Sequence, residues 1–334
     1  MKIFVSIPDN GLRKTFITEK SLKRLMQIGE VTLNPLTTNL TADELVEKAF
    51  DADVIVCTWQ TVKFTKELTK RLPNLKIIAY TAGSMATVVE KDVLDNGIIA
   101  LTGNYKFAES VAEGCISYIL SSLRRQEKYI NIMRSGLWRD SDFYFEGLYG
   151  KKVGIVGFGE IAKNLVRLLK AFNTEILVNS GHMTDEEAEN YGVKKASKEE
   201  IFSECDIVSL HMSLTEKTAG CIDKNLLSLL KPGTLFVNTA RAGLVDYKAL
   251  TSLLSENRFR AVLDVFPEEP LREDSPLRKM ENVSIFPHMA GPSFDMREKI
   301  VLAFADDFTA YKKGKPLKNR LNPTSLLHMT GSGT

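Results

Sequence analysis

Short apolar runs alternate with amphipathic stretches along the chain, a pattern typical of strands and helices that follow one another. In the first part, the runs that predict strands cover residues 2–7, 31–33, 54–57, 75–80 and 98–101. The stretches between them predict helices, for example over 22–28 and 42–50. Strands that are apolar throughout and separated by helices favour a parallel sheet covered on both faces.

A second alternating series fills most of the remaining chain. Its predicted strands cover residues 153–156, 175–179, 207–210, 234–238, 261–265 and 283–286. A long helix is predicted over 108–133, and a polar and aromatic linker follows over 135–150. The chain closes with a predicted helix over 294–311 and a loose tail. The predicted fold class is therefore α/β with two doubly wound parallel-sheet domains, and a cleft between such domains is the expected place of an active site.

Composition narrows the class of protein further. The 334 residues are 44% hydrophobic and 26% charged, as in ordinary globular proteins, and the net charge of +2 argues against a nucleic-acid surface. No apolar run is long enough to cross a bilayer, and no signal-peptide pattern opens the chain, so we expect a cytoplasmic protein without membrane contact. The four cysteines are scattered without metal-ligand spacing, which favours reduced, buried thiols and no metal.

A glycine-rich turn follows the predicted strand 153–156. Gly157, Gly159, Glu160, Ile161 and Ala162 fit the pattern G-x-G-x-x-G/A, and an amphipathic helix follows. In that context the first glycine permits a tight turn, the second lets backbone approach a pyrophosphate, and the helix N-terminus favours the anion. The turn therefore predicts a dinucleotide site.

The next predicted strand, 175–179, ends at Ser180 rather than at a carboxylate. An Asp or Glu at this position accepts hydrogen bonds from the ribose 2′-hydroxyl of NAD, and it would repel the 2′-phosphate of NADP. No acid follows until Asp185, while Asn179 and His182 offer hydrogen-bond donors. The segment predicts use of NAD or NADP with a slight preference for NADP.

Polar side chains stand at the ends of three later strands. Arg241, Glu269 and His288 offer an anion holder, an orienting carboxylate and a proton carrier. Each has an alternative interpretation, because a single histidine is often structural and an arginine often makes a surface ion pair.

The order of these motifs resembles that of the D-isomer-specific 2-hydroxyacid dehydrogenase family. The similar segments are "LYGKKVGIVGFGEIA", "SLHMSLTEKTAGCIDKNLLSLLKPGTLFVNTARAGLVD", "LDVFPEEP" and "PHMAG". The resemblance implies a mechanism in which Arg241 holds the carboxylate of a 2-oxo acid, His288 donates a proton and Glu269 orients His288. The family's nicotinamide-side Asp corresponds to Asp264.

The resemblance also implies further contacts. The implied cofactor contacts are Gly157, Gly159, Glu160, Ile161, Ser180, His211, Thr239, Ala240, Asp264 and Gly291. Beside Arg241, the implied substrate contacts are Gly83, Ser84 and Met85, in a loop that departs from the family's commoner Gly-x-Asp-Asn pattern. Ser213, where Pro is usual, and Gly114, where His is common, are smaller departures.

The family's fold implies a Rossmann cofactor domain inserted into a flavodoxin-like substrate domain. The substrate domain would comprise residues 1–106 and 288–334, and the cofactor domain residues 107–287. The helix over 108–133 would help to form a homodimer, although its apolar face is equally compatible with ordinary core.

The leading functional hypothesis is an NAD(P)-dependent oxidoreductase that reduces a 2-oxo acid to a D-2-hydroxy acid. The alternative is a regulatory binding protein of the same fold that responds to a dinucleotide, which would need no proton donor. A formate dehydrogenase is disfavoured, because the resembling enzymes carry Gln where Glu269 stands.

Overall fold

The computed structural model describes residues 1–331, and the chain divides into two compact units. The first unit comprises Met1–Phe107 and the chain from Pro292 onwards, and the second comprises Ala108–Gly291. The boundaries expected from the sequence are 106/107 and 287/288, and the units of the structure change at 107/108 and 291/292, so that residues 288–291 lie in the second unit. They are held there because the buried carboxylate of Asp264 accepts hydrogen bonds from the backbone N–H groups of Met289 and Ala290.

The first unit is built on a five-stranded parallel sheet of order β2-β1-β3-β4-β5. Its strands are β1 Lys2–Val5, β2 Glu30–Leu33, β3 Val54–Cys57, β4 Ile77–Tyr80 and β5 Ile99–Thr102. Its helices are α1 Gly11–Phe16, α2 Glu19–Met26, α3 Ala42–Ala49, α4 Lys66–Lys70, α5 Lys91–Asp95 and α13 Phe294–Lys312. Two buried clusters of apolar side chains form its core, which agrees with a sheet covered on both faces.

The second unit carries a seven-stranded parallel sheet of order β12-β11-β10-β9-β6-β7-β8. Its strands are β6 Lys152–Val156, β7 Glu175–Asn179, β8 Lys194–Lys195, β9 Ile207–Leu210, β10 Leu235–Asn238, β11 Arg260–Leu263 and β12 Val283–Ile285. Its helices are α7 Gln126–Arg134, α8 Glu160–Leu169, α9 Asp185–Tyr191, α10 Lys198–Glu204, α11 Lys224–Leu229, α12 Tyr247–Ser255 and most of α6 Asn104–Leu123. The strand order reverses at β6, and such a reversal is where open α/β sheets bind ligands.

The two parallel sheets confirm the predicted fold class, and all eleven predicted strands are present. The two-residue edge strand β8 was missed, because Lys194 and Lys195 are exposed and carry no apolar signal. The prediction of a single helix over 108–133 is wrong, because the structure has two helices there, α6 and α7. Arg125 interrupts it by adopting a left-handed backbone conformation with φ of 50°.

The prediction of a loose tail after residue 311 is also wrong for the described residues, which end at 331. Leu321 and Leu326 are buried against the core of the first unit. The carboxylate of Asp307 accepts hydrogen bonds from the backbone N–H groups of Lys318 and Asn319. Residues 332–334 lie outside the described part of the chain.

Two further features are absent from residues 1–331. No helix in this range is long and apolar enough to span a membrane. No group of three or more His, Cys, Asp or Glu side chains in the same range is placed to hold a metal ion.

Candidate active site

The register of the seven-stranded sheet aligns the carboxyl ends of its central strands. Val156 of β6 lies beside Asn179 of β7 and Leu210 of β9, and Asn238 of β10 lies beside Leu210 and Leu263 of β11. The residues directly after these strand ends are Gly157, Ser180, His211, Thr239 and Asp264. Five residues that the sequence indicated in separate motifs therefore form one row along the edge where parallel sheets bind ligands.

Gly157 follows β6 at a point where the backbone after β9 lies very close to it. Its backbone has φ of +95°, and its N–H donates to the carbonyl of Asn179 at 2.8 Å. A Cβ atom at this position would lie 2.6 Å from the backbone nitrogen of Met212 and 2.7 Å from the carbonyl carbon of His211. Only glycine satisfies both the backbone conformation and the close approach.

Gly159 is the N-cap of helix α8, and no side chain caps that helix end. A Cβ atom at Gly159 would meet nothing within 4 Å, so the backbone here borders open space. Glu160 and Ile161 form the first turn, and Ala162 is fully buried, which allows close packing of the helix on the sheet. An open glycine before uncapped helical N–H groups fits the pyrophosphate of a dinucleotide.

We expect Gly157→Ala to lower the free energy of unfolding by roughly 2–5 kcal/mol. A left-handed alanine costs about 1–2 kcal/mol and overpacking against backbone about 1–3 kcal/mol. Urea denaturation measures the change. The matched control is Gly159→Ala, which should keep the stability within about 1 kcal/mol of the parent protein. Its methyl group should instead weaken dinucleotide binding, because it occupies space that the pyrophosphate needs. Equal losses of stability in both variants would contradict this account.

The end of β7 carries a hydroxyl rather than a carboxylate. Ser180 is half-buried, and its Oγ accepts a hydrogen bond from the backbone N–H of His182 at 3.4 Å. The amide of Asn179 donates to the carbonyl of Ala196 at 2.9 Å. Asp185 forms an ion pair with Lys195 at 2.8 Å. Ser180 is therefore the residue at the position where NAD-specific sites hold their acid.

His211 is the third residue of the row. Its Nε2 is hydrogen-bonded to the Oγ of Ser209 at 2.8 Å. Burial lowers the pKa of His211 to about 4, so its imidazole is neutral at physiological pH. His211 therefore carries no positive charge at neutral pH.

The second unit contains a cavity of about 640 Å³ that collects the three predicted catalytic side chains. Arg241, Glu269 and His288 all line it, together with apolar side chains such as Leu214 and Phe266. The volume lies within the range of small-molecule sites, which is roughly 300–1,000 Å³.

Both carboxylate oxygens of Glu269 form hydrogen bonds. Oε2 lies 2.7 Å from Nδ1 of His288, and Oε1 accepts the backbone N–H of Phe266 at 3.0 Å. Burial acts to raise the pKa of Glu269, but these two hydrogen bonds and the charges of His288 and Arg241 outweigh it and lower the pKa. Glu269 is therefore ionised at neutral pH and is fixed in orientation beside Nδ1 of His288.

The backbone that carries His288 is strained and is held by Asp264. His288 has φ of 52°, a conformation that costs of order 1–3 kcal/mol for a residue with a side chain. The fully buried carboxylate of Asp264 accepts the N–H groups of Met289 at 2.8 Å and Ala290 at 2.9 Å. Burial raises the pKa of Asp264, although these hydrogen bonds and the charge of His288 oppose the shift. Asp264, predicted as a cofactor contact, thus fixes the turn that presents His288.

Asn238, which sequence reasoning missed, holds the turn of Arg241 in a similar way. Its buried side chain accepts the N–H of Ala240 at 3.0 Å and donates to the carbonyl of Arg241 at 3.1 Å. The Nη1 of Arg241 donates to the carbonyl of Ala240 at 2.6 Å, and Thr239 is hydrogen-bonded to Cys115 at 3.0 Å. The available signal was an asparagine that ends an otherwise apolar strand.

Tyr247 is a second residue that the sequence did not indicate. Its ring lines the cavity, and its hydroxyl donates to the carbonyl of Val265 at 3.0 Å. Nothing in the local pattern distinguishes it from an ordinary first residue of helix α12.

The remaining predicted contacts are distributed over both units. The backbone carbonyl of Gly291 accepts a hydrogen bond from the Oγ of Ser110 at 3.4 Å in the second unit. Gly83, Ser84 and Met85 follow β4 in the first unit. The Oγ of Ser84 donates to the carbonyl of Thr330 at 2.5 Å, and the side chain of Met85 is fully buried. The side chains of Ser84 and Met85 therefore make their contacts within the first unit.

The strand reversal at β6, the glycine turn and the open helix end define the second unit as a Rossmann-type dinucleotide-binding domain. Comparison with known proteins then gives the family. Residues 116–290 match the family model described as "D-isomer specific 2-hydroxyacid dehydrogenase, NAD binding domain", which is more than half of the chain. The chain belongs to the D-isomer specific 2-hydroxyacid dehydrogenase family.

Individual relatives support this assignment. A glyoxylate reductase from Thermococcus litoralis is 31% identical over 335 residues, which cover 97% of this chain and 98% of that protein. A D-3-phosphoglycerate dehydrogenase from Methanocaldococcus jannaschii is 32% identical over 310 residues, which cover 92% of this chain. The chain spans only 58% of the length of that second relative.

Similarity to solved structures shows the fold. An acyclic imino acid reductase, solved in complex with NADPH and D-Arg, is 23% identical. Its TM-score with this chain is 0.79 over 96% of this chain and 100% of that one. Together the comparisons confirm the predicted family, a dehydrogenase as the enzyme class, and an NAD-binding domain in the second unit.

Proposed function

We propose that the protein reduces a 2-oxo acid to a D-2-hydroxy acid, with Arg241, Glu269 and His288 as its catalytic residues. The observation that carries the proposal is the cavity in which these three side chains meet, with His288 bonded to an ionised Glu269. When bound at the glycine turn, NAD(P)H supplies the hydride. The chain's own residues then have to hold the substrate and supply a proton.

Arg241 is suited to holding the carboxylate of the substrate. A guanidinium presents a planar, permanently charged group that matches a carboxylate with two parallel hydrogen bonds. The Asn238 side chain fixes the backbone on both sides of this residue. The loop of Gly83, Ser84 and Met85, which follows β4 in the first unit, stays a predicted substrate contact.

His288 is suited to supplying the proton. Its Nδ1 is taken by Glu269, so Nε2 is the nitrogen that protonates the oxygen of the former carbonyl group. The carboxylate of Glu269 stabilises the imidazolium that donates this proton, and Asp264 keeps the ring in place through the backbone.

Turnover separates this enzyme from the regulatory binding protein of the same fold. The purified protein is mixed with NADH or NADPH and with a panel of 2-oxo acids of different size and charge, and cofactor oxidation is followed. We expect reduction of at least one member of the panel. Tight cofactor binding without turnover of any 2-oxo acid would instead favour the regulatory alternative.

We further propose use of both cofactors with a slight preference for NADPH, supported by Ser180 at the end of β7. Ser180→Asp is expected to lower kcat/KM with NADPH by about 10-fold or more, because its carboxylate would repel the 2′-phosphate. The same variant should gain with NADH, since the carboxylate accepts hydrogen bonds from the ribose. Ser180→Asn, similar in size but uncharged, is the control and should keep the original preference. A strong preference of the parent protein for NADH would mean that another group contacts the ribose.

A homodimer is the assembly we propose. Its support is a set of large apolar side chains exposed on α7 and the segment after it: Ile130, Met133, Leu137, Trp138, Phe143, Tyr144, Phe145 and Tyr149. The apolar positions of α6, in contrast, are largely buried and belong to the core. Exposed apolar area of this extent is typical of a protein interface. Sedimentation analysis measures the state of assembly and tests the proposed homodimer. A cytoplasmic location stays a prediction of the sequence.

A further inference from the structure

One peptide group of the second unit joins Tyr247 to the candidate active site. The Oη of Tyr247 donates to the carbonyl oxygen of Val265 at 3.0 Å. The N–H of Phe266, which belongs to the same peptide group, donates to Oε1 of Glu269 at 3.0 Å. The other carboxylate oxygen, Oε2, lies 2.7 Å from Nδ1 of His288. A continuous chain of hydrogen bonds therefore runs from the Tyr247 hydroxyl to the imidazole of His288.

The peptide group between Val265 and Phe266 transmits orientation because it is planar. The partial double bond keeps its C=O and N–H in one plane, where they point in opposite directions. The hydroxyl that fixes the carbonyl oxygen therefore also fixes the direction in which the N–H points toward Glu269. Both residues of the peptide group are buried, and a buried carbonyl that loses its partner carries a cost in free energy.

The same peptide group also transmits polarisation. A donor on the carbonyl oxygen draws electron density from the amide and makes its N–H a stronger donor. Burial acts to raise the pKa of Glu269, and the hydrogen bonds from His288 and from the N–H of Phe266, with the charges of His288 and Arg241, lower it. Loss of the Tyr247 hydroxyl would therefore weaken one of the interactions that keep Glu269 ionised.

The state of Tyr247 suits a constant donor. Its ring is half-buried and lines the cavity that also contains Glu269 and His288. Burial raises the pKa of Tyr247, and the negative charge of Glu269 raises it further. The hydroxyl therefore keeps its proton at neutral pH and directs it at the carbonyl of Val265.

Tyr247 stands on a firmly held helix end. It is the first residue of α12 and follows Arg241 after a short turn, Ala242–Leu244. The residue before it, Asp246, caps the helix by accepting the N–H of Ala249 at 3.0 Å, and the N–H of Asp246 donates to the carbonyl of Ile222 at 2.9 Å. A donor on a helix end that is fixed in this way can hold a peptide group of the segment after β11.

We propose that Tyr247 is a positioning residue that fixes Glu269, and through it His288, by way of the peptide group between Val265 and Phe266. The inference rests on the proposed function, because its consequence is a correctly oriented proton donor. Tyr247 transfers no proton in this role, since its hydroxyl acts only on the group that orients His288.

The kinetic test uses Tyr247→Phe, which keeps the ring in the cavity and removes only the hydroxyl. Reduction of glyoxylate, pyruvate and hydroxypyruvate by NADH or NADPH is measured, and rates are expressed per cofactor-binding site. We expect kcat to fall by about 3- to 10-fold, the effect of one hydrogen bond, while KM stays close to that of the parent protein because Arg241 is unchanged. The acidic limb of kcat/KM should move to higher pH, because Glu269 is then protonated more readily.

The matched control is Thr234→Val. The buried hydroxyl of Thr234 also donates to a backbone carbonyl, that of Cys205 at 3.3 Å. Thr234 precedes β10, so it lies at the opposite end of that strand from Asn238. The control loses a hydrogen bond of the same kind, but it should leave kcat and the pH profile as in the parent protein. This difference separates positioning from a merely structural effect.

The ionisation of Glu269 is measured separately, without turnover. Carbon-13 NMR of protein labelled at the glutamate carboxyl groups follows it, and loss of one signal in Glu269→Gln assigns that signal. Tyr247→Phe keeps the other ionisable groups around this carboxylate, which are Arg241, Asp264 and His288. We expect the Glu269 signal to titrate at higher pH in Tyr247→Phe than in the parent protein and the control.

A double-mutant cycle shows whether the hydroxyl acts through Glu269. In Glu269→Ala no carboxylate remains for the N–H of Phe266 to hold, so the addition of Tyr247→Phe should change kcat by less than about 2-fold. A loss as large as that in the parent protein would show that Tyr247 acts by another route, and it would overturn the proposal.

The outcomes separate this inference from the proposed function. Unchanged kcat and an unchanged pH profile in a folded Tyr247→Phe protein would overturn the role of Tyr247 and leave the proposed function intact. A shifted titration of Glu269 in a protein whose parent reduces no 2-oxo acid would support the chain of hydrogen bonds and overturn the proposed function.

Discussion

Replacement of His288 by asparagine is expected to lower the turnover of a 2-oxo acid by about 10²–10⁴-fold, the usual contribution of a positioned acid. Asparagine can still bond to Glu269, but it has no proton to transfer at neutral pH. It also tolerates a left-handed backbone better than most residues, so the strained turn at φ of 52° should be kept. Steady-state kinetics measures turnover, and fluorescence titration measures the affinity for the cofactor, which should change little.

The control for this variant is His328→Asn. His328 is exposed and lies in the first unit, whereas His288 lines the cavity of the second. We expect its turnover to be close to that of the parent protein. Near-normal turnover of a folded His288→Asn protein would mean that the proton comes from another group.

Arg241→Lys is expected to reduce kcat/KM for the 2-oxo acid by roughly 10- to 100-fold. The lysine keeps one positive charge but loses one of two parallel bonds to the carboxylate, and a hydrogen bond to a charged group contributes about 1.5–3 kcal/mol. Because the substrate is then held less firmly against the proton donor, both a higher KM and a lower kcat should contribute. Initial rates over a range of substrate concentrations separate the two constants.

A matched control is Arg272→Lys, which changes an exposed arginine that pairs with Asp274 at 2.9 Å. It should leave both constants unchanged. If Arg241→Lys gave the same kcat/KM as the parent protein, the substrate anion would have to be bound elsewhere.

Most of the strands were predictable because each is a short and largely apolar run, and four of them are buried in full: Val54–Cys57, Ile77–Tyr80, Ile207–Leu210 and Leu235–Asn238. Val54–Cys57 and Ile207–Leu210 lie in the structure where the sequence pattern put them. The edge strand Lys194–Lys195 was not predictable, since its side chains are exposed and its pairing with β7 gives no local signal. The break at Arg125 was missed because neither glycine nor proline marks it, and arginine is ordinarily a helix-forming residue.

The candidate site likewise contains residues that the sequence indicated and residues that only the structure revealed. The types of its side chains were evident, because an arginine, a glutamate and a histidine at strand ends suit reduction of an oxo acid. The residues that hold them, Asn238 and Asp264, act through backbone groups of turns. Such contacts depend on the path of the chain after each strand, which a pattern of apolar and polar residues does not encode.

The sequence by itself determined the two alternating series, the glycine turn at Gly157, and Ser180 in place of an acid. These features are local, since each depends on residue type and on spacing within one strand, turn or helix. The tertiary structure alone decided which distant groups meet: Glu269 with His288, and Asp264 with the turn after His288. The physical reason is that sheet register and turn geometry bring together side chains from separate elements, and those contacts set the charge and orientation on which the proposed chemistry depends.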